Sequence, residues 1–277
     1  MAAGSVPGIP GRAGGKSDAV DYEIKGHEMQ FVEIELDPGE SAIAEAGSMM
    51  FKDQNIHMDT VFGDGSLGDQ SVLDKIWTAG KRVLTGESLF ITLFTHQGQG
   101  KARVAFAAPY PGSILAFHLA EMGGSLIAQK DAFLAAAKGV SIGIFFQKKI
   151  MTGLFGGEGF IMQKLEGDGY AFVHVGGTVV ERELAAGEVL HVDTGCVAAM
   201  TPTVGFDIVR AGSIKSMIFG GEGVFFAELT GPGKVWIQSL PFSRLAGRIF
   251  ANASAMGTTG EASILGPLGG LLDVVKR

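Results

Sequence analysis

Three glutamates stand in matching glycine-rich phrases. Glu158 and Glu222 each sit in Phe-Gly-Gly-Glu-Gly, at residues 155–159 and 219–223. Glu87 stands in a weaker copy, Thr85-Gly86-Glu87-Ser88. Carboxylates repeated at one position can converge on a cation or a ligand. They can equally accept backbone N–H groups in a glycine turn and so pin a junction between repeats. A residue needed identically in every copy is more often structural, and one carboxylate per copy lacks the second acid or base that hydrolysis requires. We therefore expect Glu87, Glu158 and Glu222 to hold repeat junctions, with ligand binding as the alternative.

The rest of the chain assembles no catalytic set. Phe155-Gly156-Gly157-Glu158 feeds an apolar run and lacks the Gly-Lys-Ser/Thr of a phosphate loop. No two histidines among His27, His57, His96, His118, His174 and His191 have the spacing of a local metal site. His118 and His191 lie in apolar runs and read as core residues. Cys196 precedes Val197 and Ala198 and reads as a buried, inert thiol. No Gly-x-Ser-x-Gly elbow is present. The expectation is no enzyme, no cofactor and no metal.

The elements around the glutamates are strands. Each phrase leads into an apolar run, a glycine turn and a second run. The turns are Gly98-Gln99-Gly100, Gly167-Asp168-Gly169 and Gly231-Pro232-Gly233, the usual signal of a hairpin. A second landmark precedes each phrase: Pro38-Gly39-Glu40-Ser41, Gly123-Gly124-Ser125 and Ala186-Gly187-Glu188. Recurrence of this kind decides the architecture before any single element does. The expected fold is all-β, with three tandem repeats at 21–119, 120–182 and 183–241. Repeat one carries an insertion at about 60–80, where Val72, Leu73, Ile76 and Trp77 fall at helical spacing. Residues 131–138 are assigned to a strand by alignment with 194–200. A flexible leader, 1–20, precedes the repeats. An amphipathic, apolar tail, 242–277, follows them, helical or flexible, with 251–262 read as linker.

Composition agrees. Forty-three glycines against nine prolines mean many tight turns, not disorder. A net charge of −7 opposes binding to nucleic acid, which needs cations on phosphates. A single cysteine excludes an intrachain disulfide. No apolar run reaches the roughly 18 residues of a spanning helix, and the first residues lack a secretory core. The expected location is cytoplasmic, with peripheral contact at the inner membrane as an extension. Trp77, Phe242, Phe250, Leu271 and Leu272 are the candidates to meet a membrane surface, a membrane-protein partner or a neighbouring subunit.

Asp37-Pro38-Gly39-Glu40, Glu45-Ala46-Gly47-Ser48-Met49 and the Gly-Gly-Glu-Gly phrases resemble the mitochondrial-biogenesis Aim-type family over about 22–240. The resemblance implies three tandem domains of the type first seen in the tryptophan RNA-binding attenuation protein (TRAP). Each would be a small β-sandwich or short double-stranded β-helix. It further implies a closed homo-oligomer, a trimer, and a link to inner-membrane organisation. It brings no catalytic residue, and the attenuation protein's ligand pocket and basic rim are not carried over. The expected function is a non-enzymatic oligomeric scaffold close to a membrane. The alternative is a binder of an amino acid, nucleotide or cation between β repeats.

Overall fold

The computed structural model describes residues 17–62, 90–148, 160–210 and 225–257. Four antiparallel sheets stack in layers. The first runs β1 (Asp21–Lys25), β2 (Phe31–Leu36), β7 (Ala102–Ala107), β4 (Met49–Lys52). The second runs β5 (Ile56–Phe62), β6 (Phe90–His96), β3 (Ser41–Glu45), β10 (Phe133–Ala137), β13 (Tyr170–Gly176), β8 (Gly112–His118). The third runs β11 (Ser141–Lys148), β12 (Phe160–Glu166), β9 (Ser125–Gln129), β16 (Val197–Met200), β19 (Gly233–Gln238), β14 (Val179–Leu184). The fourth holds β15 (Val189–Asp193), β18 (Phe225–Thr230) and β17 (Gly205–Arg210).

Position in the stack explains residue pattern. In the outermost sheet β2 alternates: Val32, Ile34 and Leu36 are buried, and Glu33 and Glu35 face Lys25, Lys101 and Arg103 outside. Interior β3 and β10 are covered on both faces, so nearly every residue is apolar or small. Ala42 and Ala44 join the core shared with the first sheet, whereas Ile43 joins the core shared with the third. A further core, with Ile127, Met162 and Leu229, lies between the third and fourth sheets.

The sheet order has an internal rhythm. The triplet β2-β7-β4 returns as β8-β13-β10 and as β14-β19-β16. The triplet β5-β6-β3 returns as β11-β12-β9 and β17-β18-β15. Each six-stranded sheet joins one triplet to the next, through β3 with β10 and through β9 with β16. A register break marks the same place in β4, β10 and β16, at Met50, Leu134 and Ala198.

A 3-10 turn at Lys130–Ala132 leads into β10, so most of 131–138 is strand as expected. Two expectations need correction. The stretch from 251 read as linker is helical as far as 257, within α1 (Phe242–Gly257). Its alanines favour the helix, and the Arg244 and Leu245 N–H groups start it on the Pro241 carbonyl, at 3.0 and 3.2 Å. His118 and His191 are not core residues: their side chains are 26% and 55% exposed. Strand alternation turns them outward, and His96 and His174 are the buried histidines. Of the insertion expected at about 60–80, residues 60–62 belong to strand β5, and the segment expected to be helical lies outside the described residues.

Candidate assembly edges and a junction pocket

Matching the strands through their pairings brings Glu45, Gln129 and Asp193 into one column. Each ends a strand, β3, β9 or β15, just before the turn into the bulged strand. A second column holds Ala107, His174 and Gln238, each one residue beyond the partner of the bulged strand's first residue. These columns meet wherever one triplet joins the next.

At the β9–β16 junction the meeting is neutral and satisfied. Gln238 Nε2 donates to Gln129 Oε1 at 3.1 Å and to the Gly195 carbonyl at 2.9 Å. Its Oε1 accepts from the Gly176 N–H at 2.9 Å. Both glutamines are buried.

At the β3–β10 junction the same positions hold Glu45, His174 and, in place of Gly195, Asp131. Pro111 takes the place of Gly176, three residues before the strand partner of His174 as Gly176 is before that of Gln238, and has no N–H to give. His174 is buried, and among the described residues neither ring nitrogen has a hydrogen-bond partner. Its ring lies 4.4 Å from that of Tyr110, edge on. Burial pulls His174 down to about 4. The Tyr110 backbone lies close enough to oppose this but not in hydrogen-bonding geometry. Beside it opens a pocket of about 450 Å³, lined by Glu45, Ser48, Met50, Tyr110, Asp131 and Phe242 among others. Glu45 as a residue is exposed, but its carboxyl is hemmed in by the pocket walls. That crowding, then Asp131, pushes it up to about 7 against the pull of Lys130. Tyr110 rises to about 12, first from burial and then from Asp131.

The third member of each column stands at an end of the stack. Asp193 accepts from the Gly195 N–H at 3.0 Å and lies 3.8 Å from Arg244 on α1. Among the described residues its strand β15 has a partner on one side only, and so does β4, the first counterpart of β10 and β16. Met50 is 55% exposed, whereas Leu134 and Ala198 in its place are at 1% and 0%. Met49 and Phe51 are exposed where Phe133, Ala135, Val197 and Ala199 are buried. On β15, His191 is exposed where Ile43 and Ile127 are buried. The edges exist because the strands that cover them elsewhere have no counterpart here among the described residues.

Of the residues picked out by sequence, Glu87, Glu158, Glu222, Trp77, Leu271 and Leu272 lie outside the described residues. Phe242 lines the pocket, its ring 5.6 Å from Tyr110. Phe250 is 65% exposed on α1. Sequence reasoning passed over Glu45, Tyr110, Asp131 and His174. A signal was present: aligned on Ser41, Ser125 and Val189, the chain puts Glu45, Gln129 and Asp193 in register. Among the described residues no cluster of His, Cys, Asp and Glu could hold a metal ion. No described helix is long and apolar enough to cross a membrane.

A family model described as mitochondrial biogenesis AIM24 matches residues 22–240. An uncharacterized protein of Streptococcus pyogenes serotype M6 is 32% identical over 226 residues, spanning 80% of this chain and 86% of that protein. The crystal structure of a Streptococcus pyogenes protein, a structural-genomics target, is similar with a TM-score of 0.66 and 26% identity. It covers 84% of this chain and 99% of that one.

Proposed function

The chain belongs to the mitochondrial biogenesis AIM24 family, and from that premise we propose that it is a non-enzymatic homo-oligomeric scaffold, a trimer, built from three TRAP-like β units. The units run from β2 to β7, from β8 to β13 and from β14 to β19, which moves β8 out of repeat one and the start of β14 out of repeat two as bounded from the sequence. One observation carries the reading: positions buried at both interior junctions are open on β4 and β15. Exposed apolar strand edges invite pairing with another chain, and soluble proteins rarely leave them bare. A closed assembly of identical chains covers them all. Native mass spectrometry of the full chain tests this. A single closed oligomer is expected, and a monomer at micromolar concentration would end the reading.

Membrane proximity is part of the proposal. Ile249 and Phe250 stand 59% and 65% exposed beside Arg248 on α1, a pattern suited to a lipid surface or a membrane-protein partner from the cytoplasmic side. Flotation of the full chain with anionic liposomes, compared with a chain ending at 240, checks it. Equal recovery of both in the soluble fraction removes this part. A second reading rests on the pocket, whose volume is in the range of small-molecule sites. It would take an amino acid, nucleotide or cation between two units.

A further inference from the structure

The two interior junctions share a rule that the open edges can obey only between chains. Strand β3 pairs with β10, and β9 with β16, both antiparallel. In neither case does a strand of one class pair with its own class. Register is also shared. Ala44 stands opposite Ala135, and Ala128 opposite Ala199, each partner one residue past the bulge. Ile43 stands opposite Ala136 and Ile127 opposite Met200.

We propose that β15 of one copy pairs head to tail with β4 of the next, Val192 opposite Phe51 and His191 opposite Lys52. This rests on the homo-oligomeric reading above and specifies its geometry. Leu190 then faces Asp53, the counterpart of Ala42 facing Ala137. The pairing has a charge logic. Glu228 lies 3.0 Å from His191, which stands in the same row between it and the incoming Lys52. Among the described residues of the free chain, Lys52 Nζ donates to the Ile56 carbonyl at 2.7 Å and meets no carboxylate. Asp193 and its neighbour Arg244 come to Gly47 and Ala107 of the next copy, where interior junctions hold Gly195 or Asp131 and Gln238 or His174. Both receiving residues are small, and a Cβ on Gly47 would meet nothing within 4 Å. Both also line the pocket, so Arg244 arrives at the mouth that Glu45 and Asp131 make acidic. The rival geometry, β4 on β4 about a two-fold axis, leaves β15 bare.

Directly opposed antiparallel residues lie close enough for a disulfide. The test uses the full chain with Cys196→Ser, which removes its single thiol. Val192→Cys and Phe51→Cys are introduced separately and together. Under mild oxidation, mixing the two single variants after dissociation and reassembly should give covalent dimers of one chain of each kind. The double variant should convert most of its chains to the full covalent oligomer. Phe51→Cys alone should stay uncrosslinked, and so should Val192→Cys with Met50→Cys, one residue out of register. Dimers from Phe51→Cys alone would overturn the head-to-tail geometry. An oligomer intact by native mass spectrometry but without the 192–51 link would overturn the register and leave the scaffold reading standing. A monomer before any oxidation would end both.

Discussion

The two interior junctions solve one structural problem in opposite ways. At β9–β16 the buried column is Gln129, Gln238 and Gly195, uncharged and mutually hydrogen-bonded. At β3–β10 the same positions hold Glu45, His174 and Asp131, all ionisable; only His174 is buried, and its imidazole has no hydrogen-bond partner among the described residues. The backbone pairing is the same, so hydrogen bonding between strands and apolar burial suffice to join two units. The polar column is free to vary. The cause of the divergence is local: Pro111 has no N–H where Gly176 supplies one, so a glutamine at 174 would leave its carbonyl oxygen without that donor. One junction is insensitive to pH by construction. The other carries two groups whose ordinary titration has been displaced in opposite directions.

The largest expected effect breaks the satisfied junction. Gln238→Leu keeps the volume but strands three buried groups: Gln129 Oε1, the Gly195 carbonyl and the Gly176 N–H. Leaving buried polar groups unpaired costs about 1–3 kcal/mol each, with partial relief by relaxation. A total loss of roughly 2–4 kcal/mol is expected in chemical denaturation, at every pH between 5 and 8. A change below 0.5 kcal/mol would mean that the network adds little to the backbone pairing.

The second prediction sharpens the contrast through pH. His174 is held neutral, down at about 4 against an ordinary 6.5. The unfolded chain therefore takes up its proton first as pH falls. The penalty begins near 6.5, grows to pH 4 and levels off below it, reaching about 3 kcal/mol for a buried group. His174→Leu removes the titration and also the two orphan ring nitrogens. The variant should lose that much less stability than the parent between pH 7 and 4. Parallel pH profiles for the two proteins would refute the burial argument. Direct titration of the imidazole by NMR gives the same test without mutation.

Much of this architecture was legible in the chain. The alternation of Phe31–Leu36 announces a sheet with one wet face, whereas the alanine-rich run of Phe133–Ala137 suits a short helix as well and is fixed as a strand only by its alignment with 194–200. The hairpins follow from glycines at turns, such as Gly100 with φ of 73°. The junction columns were harder to see. They depend on a one-residue bulge at Met50, Leu134 and Ala198. Such a bulge shifts register without changing composition. Counting eight residues from the lead glycines Gly39, Gly124 and Gly187 reaches Gly47, Ala132 and Gly195, one residue off the true column in the second unit. Burial of His174 against exposure of His191 is likewise a property of facing layers. Both sit in similar apolar surroundings along the chain.

The smallest expected effect concerns Glu45, and it separates a strained carboxylate from a bound one. Its carboxyl is raised to about 7 by crowding first and Asp131 second. A raised acid costs nothing while both states are protonated, below about 4.5. The cost grows as pH climbs to 7, because the unfolded chain ionises freely and the folded chain resists. Glu45→Gln should leave stability unchanged at pH 4.5 and raise it at pH 8. The gain should be about 1 kcal/mol, well short of full linkage, because solvent screens an exposed residue. In the ring proposed above the sign would change. If Arg244 of the next copy reaches this mouth, ionised Glu45 becomes an attraction, and the glutamine variant should assemble more weakly at pH 8 although its isolated chain is more stable. Dilution followed by native mass spectrometry at pH 8 and thermal melting of the monomeric fraction read the two effects separately. Stabilisation of both monomer and oligomer by the same substitution would place Glu45 outside the contact between chains.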